Sequence, residues 1–264
     1  TAVIPLCAAI LISFWGWRGP IFLFAVPAIL VGLAMSIWLK DPGALESSAA
    51  AGSTSFLQDS RQVVGDHNLR WILVASIVAA GGSGHGIISS FLPLYLNHNL
   101  GMDATAVGVI FTLMNVGSIF GPMLTGKLAD RYHPQRILLG AFFLATVTTL
   151  IIPTLGANFA AVAAAAFFLG VTAFGTHPIL QTLVAHSAAD SSRDTAFAWF
   201  YTATFLAGAF WSPAVGYLSE WLGLTAAFGA MAVSFVLASG CILLGRLHEI
   251  VVSHDHGAVA QSHH

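Results

Sequence analysis

Long apolar runs alternate along this chain with short polar connections. A helix that crosses a bilayer needs about 20 largely apolar residues. Seven segments approach or exceed that length: Gly19–Leu39, Trp71–Leu96, Ala104–Thr125, Ile137–Pro153, Phe159–Ala185, Thr195–Leu218 and Leu222–Gly245. A shorter run, Ala2–Phe14, is expected to be the end of a longer helix. The pattern predicts an all-α polytopic membrane protein.

Two polar stretches interrupt or follow this pattern. The longer one, Lys40–Asn68, is rich in Ala, Ser and Gly and carries mixed charge, a composition typical of a flexible linker. The other follows the last span and contains His254, His256, His263 and His264. Such a tail can bind a divalent metal weakly, but we expect it to be disordered. We predict no metal site and no cofactor.

Composition excludes a soluble domain and a nucleic-acid partner. Charged residues make up 8% of the chain and hydrophobic residues 57%, with a mean hydropathy of +0.83. Soluble domains carry about 25% charged residues. The net charge of -2 leaves no basic stripe to neutralise phosphates. Because Cys7 and Cys241 both lie in apolar runs, we expect no disulfide.

The cations favour one orientation in the membrane. If the linker is cytoplasmic, Arg18 is the one cation on the outer side, and the other eight of the nine lie inside. These are Lys40, Arg61, Arg70, Lys127, Arg131, Arg136, Arg193 and Arg246. The positive-inside rule therefore places the linker and the C-terminus in the cytoplasm.

A membrane enzyme is the remote alternative. Membrane di-iron oxidases and desaturases need clustered histidine pairs, whereas His85, His177 and His186 are scattered through the spans. The sequence also contains no nucleophile elbow and no metalloprotease pair. We predict that the protein is not an enzyme.

The connection Gly126–Arg136 contains the most informative motif. Its residues resemble the signature G-x-L-A-D-R-x-G-R-[RK] of the major facilitator superfamily (MFS), which has one copy after the second helix and another after the eighth. The matching positions are Gly126, Leu128, Ala129, Asp130, Arg131 and Arg136. His133-Pro134 departs from the signature. Gly16-Trp17-Arg18 resembles the opening of the family's sixth helix, and Gly216–Gly223 resembles its last hairpin.

The resemblance implies a domain organisation. Residues 1–39 would be the partial fifth and the sixth transmembrane helix of an N-terminal half, and 40–68 the cytoplasmic central linker. Residues 69–247 would form the C-terminal six-helix transmembrane bundle, and 248–264 a disordered His-rich cytoplasmic tail. The implied partners are the lipid bilayer, a small organic solute and the missing N-terminal six-helix half.

The resemblance also implies a function. A secondary transporter would move the solute across the plasma (inner) membrane by alternating access, coupled in its full-length form to protons or another ion. A non-transporting membrane sensor or receptor with the same fold is the alternative, since fold does not fix function.

The signature connection is a candidate gate. Asp130 can interact with the positive N-terminus of a neighbouring helix, which the resemblance identifies as the start of the fifth helix. Arg131 and Arg136 can bind carboxylates. The candidate partners lie in the next cytoplasmic connection: Asp190, Arg193 and Asp194. Alternatively, all these charges only anchor the topology.

Polar and aromatic residues at membrane depth are candidates for a substrate cavity, because they are costly to bury without a use or a partner. They are His85, Ser89, Phe111, Asn115, Phe174, His177, Gln181 and Tyr201. Hydrogen bonding between helices is the alternative role for each. The last six spans contain no Asp, Glu, Lys or Arg, which favours a neutral or amphiphilic solute. Within Trp71–Leu96, the run Gly81–Gly86 predicts either a hinge or close helix packing.

Overall fold

A computed structural model describes residues 18–38, 54–82 and 87–245. Over these ranges the chain forms nine α-helices and no strand: α1 Arg18–Trp38, α2 Thr54–Gly65, α3 His67–Ala79, α4 Ser89–His98, α5 Ala104–Ala129, α6 Pro134–Ile151, α7 Phe159–Ser187, α8 Arg193–Leu222 and α9 Leu224–Leu244. The predicted partial fifth helix, the first half of the linker, His85 and the C-terminal tail lie outside these ranges.

The chain divides into two compact units, Thr1–Ser55 and Phe56–His264. Helix α1 is the described part of the first unit, and most of its side chains are apolar and exposed. Helices α3 to α9 form the bundle of the second unit. The predicted four-part organisation of the chain stays a prediction.

Five described helices are long and apolar enough to cross a membrane. These segments are Ile21–Trp38, Ala104–Ala129, Pro134–Thr154, Phe159–Ser187 and Leu224–Leu244. Helix α8 has 30 residues, which corresponds to about 45 Å. It is therefore long enough, although its composition is more polar than that of the other five.

The predicted span Trp71–Leu96 is interrupted where its glycine run begins. Helix α3 ends at Ala79, residues 80–82 form turns, and α4 begins at Ser89 directly after a π-helical turn at Ile87 and Ile88. After Ala79 the hydrogen bonds tighten, with Gly81 N–H donating to the Val78 carbonyl at 3.1 Å and Gly82 N–H to the Ala79 carbonyl at 3.0 Å. Glycine is the least favourable residue in a helix interior after proline, which explains why the helix ends here.

The second half of the predicted linker is a helix. Apolar residues recur at helical spacing within α2 as Phe56, Leu57, Val63 and Val64, a pattern that the Ala, Ser and Gly content had obscured. Val63 is fully buried, and Trp199 Nε1–H donates to Ser60 Oγ at 3.1 Å. Helix α2 therefore contacts α8 through this hydrogen bond, and its Val63 belongs to the buried core.

Helices α5 and α7 make the closest helix-to-helix contact of the bundle. A Cβ atom added at Gly117, Gly121 or Gly170 would overlap a backbone carbonyl oxygen of the opposite helix. Thr125 Oγ1–H lies 2.9 Å from the Gly175 carbonyl oxygen across the same contact. Small residues let helix backbones approach closely, which stabilises helix pairs in membranes. We call Gly117, Gly121 and Gly170 the glycine seam.

Candidate functional site

The signature connection is a short turn between two long helices. Helix α5 continues through Ala129, and the Asp130 N–H donates to the Gly126 carbonyl at 3.0 Å. Helix α6 begins at Pro134, a first-turn position that suits proline because no intrahelical hydrogen bond is lost there. His133-Pro134 thus departs from the signature sequence and still starts the next helix.

A cleft of about 280 Å³ lies behind this turn. Its walls come from the end of α5, the turn, the start of α6 and the last part of α7. The lining residues are Gly126, Ala129, Asp130, Pro134, Pro178, Ile179, Thr182 and His186. Asp130 and His186 are both exposed. The end of α7 therefore lies next to the predicted gate.

Two of the three predicted gate partners, Asp190 and Arg193, pair with each other. Arg193 Nη2 lies 2.7 Å from Asp190 Oδ1, which makes an ion pair. Both side chains are exposed, so the pair contributes little to stability. Within the described ranges, neither Arg131 nor Arg136 forms an ion pair with Asp190 or Asp194.

The two candidates on α5 are half-buried, and one of them hydrogen-bonds within its own helix. Asn115 Nδ2–H donates to the Phe111 carbonyl at 2.8 Å. Ser118 Oγ–H in turn donates to the Asn115 carbonyl at 2.7 Å. On α4, the candidate Ser89 is the first residue of the helix and is half-buried.

An aromatic cluster joins α7 to α8. The His177 ring lies 5.4 Å from the Phe200 ring and 6.3 Å from the Tyr201 ring, measured between centroids. Along α8, the Tyr201 ring stacks on Phe197 at 6.3 Å and on Phe205 at 6.4 Å, with interplanar angles of 27° and 19°. We call Phe197, Tyr201 and Phe205 the aromatic ladder.

The other two candidates on α7 flank the cluster. Phe174 and Gln181 lie about one turn on either side of His177, and both are half-buried. Residues three and four apart share a helix face. Three of the eight predicted cavity residues, Phe174, His177 and Gln181, therefore follow one another on α7, and the ring of a fourth, Tyr201 on α8, lies beside His177.

Trp211 covers the break after α3. The Gly81 N–H bonds to Val78 and not to Ile77, which leaves the Ile77 carbonyl for Trp211 Nε1–H, at 3.0 Å. A Cβ atom at Gly81 would lie 2.8 Å from the Trp211 ring. Gly81 thus both ends the helix and gives the indole room, which is close packing; the hinge stays a prediction.

Removing this hydrogen bond is expected to loosen the end of α3. In Trp211→Phe the Ile77 carbonyl loses its donor, at a cost of about 0.5–1.5 kcal/mol. Hydrogen exchange should accelerate in the backbone amides of residues 74–82. Trp199→Phe is the matched control, because the Trp199 indole bonds to α2 and its loss should accelerate exchange in residues 54–65. Unchanged exchange at residues 74–82 in Trp211→Phe would contradict the role of Trp211.

Sequence reasoning missed the glycine seam and Trp211. The seam has a sequence signal, because Gly117 and Gly121 form a small-xxx-small pair within one apolar run. Trp211 has none, since its partner carbonyl is 134 residues away. Among the described residues, no group of three His, Cys, Asp or Glu is placed to hold a metal ion.

A bundle of apolar helices, several of them long enough to cross a bilayer, defines a polytopic membrane protein. The sequence profile of the Major Facilitator Superfamily matches residues 74–258, and the chain belongs to this superfamily. It is an integral, multi-pass membrane protein. The all-α superfamily fold predicted from the signature connection is confirmed.

Relatives with curated names are transporters. The chain is 28% identical over 147 residues to the "probable galactarate/D-glucarate transporter" of Bacillus subtilis, covering 54% of this chain and 32% of that protein. It is 27% identical over 150 residues to the glycine betaine/proline/ectoine/pipecolic acid transporter of Dickeya dadantii, covering 52% of this chain and 30% of that protein.

A solved structure shares the fold. The Escherichia coli fucose:proton symporter superimposes with a TM-score of 0.63 at 18% sequence identity, covering 88% of this chain and 55% of the symporter. The chain therefore spans about half of that structure, and its matches span about a third of the curated relatives' length.

Proposed function

We propose that the full-length protein is a secondary transporter that moves a small organic solute by alternating access, and that this chain supplies the second half of it. The observation that best supports transport is that α3 and α4, within a bundle of this superfamily, form one discontinuous helix. Discontinuous helices near the middle of a membrane are where transporters of several folds build their binding sites. The transporter names of the relatives support the same function.

The proposed cavity is formed by the polar and aromatic side chains of α4, α5, α7 and α8. Its described walls are Ser89, Phe111, Asn115, Phe174, His177, Gln181 and Tyr201, none of which carries a fixed charge. A neutral or zwitterionic solute fits such walls better than a dianion, because an unpaired charge at membrane depth is costly. Coupling to protons would then use His85, His177 or a carboxylate outside this chain.

The turn at Asp130 is the proposed cytoplasmic gate. The linker and the C-terminus then lie in the cytoplasm, and the membrane is the plasma (inner) membrane. Asp130 lines the cleft beside the end of α7. When the cytoplasmic ends of the helices are together, the N-terminus of a helix from the rest of the protein would stabilise its carboxylate. The contact breaks when those ends separate, so it favours one of the two transport states.

The test is solute uptake by the full-length protein in proteoliposomes. The panel is glycine betaine, proline, D-glucarate and fucose, each with and without an imposed proton gradient. We expect one of them to accumulate, with the gradient raising the level if protons are coupled. Saturable binding without any flux would contradict the transporter function and favour the sensor.

A further inference from the structure

We propose that the aromatic ladder, together with His177 and Gln181, is a subsite for a zwitterionic solute that carries a quaternary ammonium and a carboxylate. The inference rests on the proposed transport function and names the substrate class of the same cavity. The subsite would combine the aromatic rings of α8 with the polar groups of α7.

The ladder offers open aromatic surface to a cation. Tyr201 is 39% exposed and Phe205 is 69% exposed, while Phe200 beneath them is fully buried and supports the Tyr201 ring at 5.4 Å. A cation within about 6 Å of a ring centroid is attracted by the ring quadrupole, and more strongly when water is excluded. Rings held at fixed spacing by one helix present such a surface without any charged residue.

Hydrogen-bond donors lie beside the rings for the carboxylate. His177 is on α7 next to Tyr201, and Gln181 follows it by four residues, which places both on one helix face. Neither the Gln181 amide nor the Tyr201 hydroxyl has a hydrogen-bond partner in the part of the chain that the structure describes. Both groups can therefore donate to a bound carboxylate.

The balance of charges selects a zwitterion. The last six spans carry no Asp, Glu, Lys or Arg, so a ligand with a net charge would find no counter-charge in these walls. A zwitterion brings both charges and stays neutral as a whole. The π surface then meets the ammonium and the donors meet the carboxylate, at opposite ends of one small molecule.

The test is binding of glycine betaine to the full-length protein, compared with its tert-butyl analogue. In that analogue carbon replaces the nitrogen, so the shape is kept, the positive charge is lost and the molecule becomes an anion. We expect the analogue to bind at least about 2- to 30-fold more weakly, since it loses the cation–π contact and also brings an unpaired negative charge. Equal affinity for the two molecules would overturn the proposal.

Matched variants locate the subsite. Phe205→Leu and Tyr201→Leu should weaken betaine binding by a similar factor, whereas Tyr201→Phe, which keeps the ring, should retain discrimination against the analogue. Phe210→Leu is the control, because Phe210 is on the same helix with the same 69% exposure and lies outside the ladder. An equal loss in Phe210→Leu and Phe205→Leu would contradict a local subsite.

The outcomes separate this inference from the transport function. Uptake of another solute without charge-selective betaine binding would overturn the subsite and leave the transporter intact. Charge-selective binding without uptake would support the subsite and contradict transport. If the rest of the protein covers the ladder, Phe205→Leu would lower the melting temperature and leave betaine binding unchanged in the folded fraction, which overturns the subsite.

Discussion

Replacing Gly117 with leucine is expected to destabilise the protein more than any other single change proposed for this chain. The added Cβ alone would overlap the Phe167 carbonyl oxygen, which belongs to the helix backbone and cannot rotate away. Overpacking of this kind costs about 1–3 kcal/mol and occasionally more. Helices α5 and α7 must therefore separate, and the loss should appear as a lower melting temperature of the full-length protein in detergent.

Gly108→Leu is the matched control for this prediction. Gly108 is on the same helix, and a Cβ atom there meets nothing within 4 Å. Leucine has a higher helix propensity than glycine by somewhat less than about 1 kcal/mol, so this variant should be as stable as the parent or slightly more stable. Equal melting temperatures for Gly117→Leu and Gly108→Leu would contradict the glycine seam.

Replacing Asp130 with asparagine is expected to slow transport while leaving membrane insertion intact. The carboxylate supplies the proposed latch to a helix N-terminus, an interaction worth up to about 2 kcal/mol in partly buried sites. Losing about 1–2 kcal/mol changes a two-state ratio by about 5- to 30-fold. Initial rates of uptake in proteoliposomes should fall accordingly, because the cycle then passes less often through the state that the latch stabilises.

The fold should tolerate this change. Asp130 ends α5 through its backbone N–H, which asparagine keeps, and its side chain is exposed. Glu220→Gln is the control, since Glu220 is an exposed acid near the C-terminal end of α8, outside the signature turn. Wild-type flux in Asp130→Asn would refute the gating role and leave topology as the function of the turn.

The length of the hydrophobic runs predicted most helices, because each membrane-spanning helix must be long enough to cross the hydrocarbon core of the bilayer. Helices α5, α7 and α9 begin within two residues of the predicted starts. The glycine run marks the place where α3 ends, at Ala79 within Trp71–Leu96, but run length alone does not reveal that end. Run length also overlooked α2, whose apolar positions are spaced for a helix within a segment of linker-like composition.

The sequence predicted which residues of the candidate site share a helix, but not which helices bring their side chains together. Helical spacing placed His177 and Gln181 on one face of α7, and the structure confirms that both lie on that helix. The contact of His177 with Tyr201 depends on how α7 packs on α8, which one sequence does not reveal. The same holds for Trp211 and Ile77, whose hydrogen bond exists only because the helix stops nearby.

Alternating access is most directly tested by counterflow. Full-length protein in proteoliposomes is loaded with an excess of the unlabelled solute that the uptake panel identifies, and a trace of labelled solute is added outside without any ion gradient. The account predicts a transient accumulation of label inside above its external concentration, because a carrier returns inward occupied by labelled solute. Simple equilibration without an overshoot would indicate a pore, and no entry of label would indicate a sensor; either result would contradict the account.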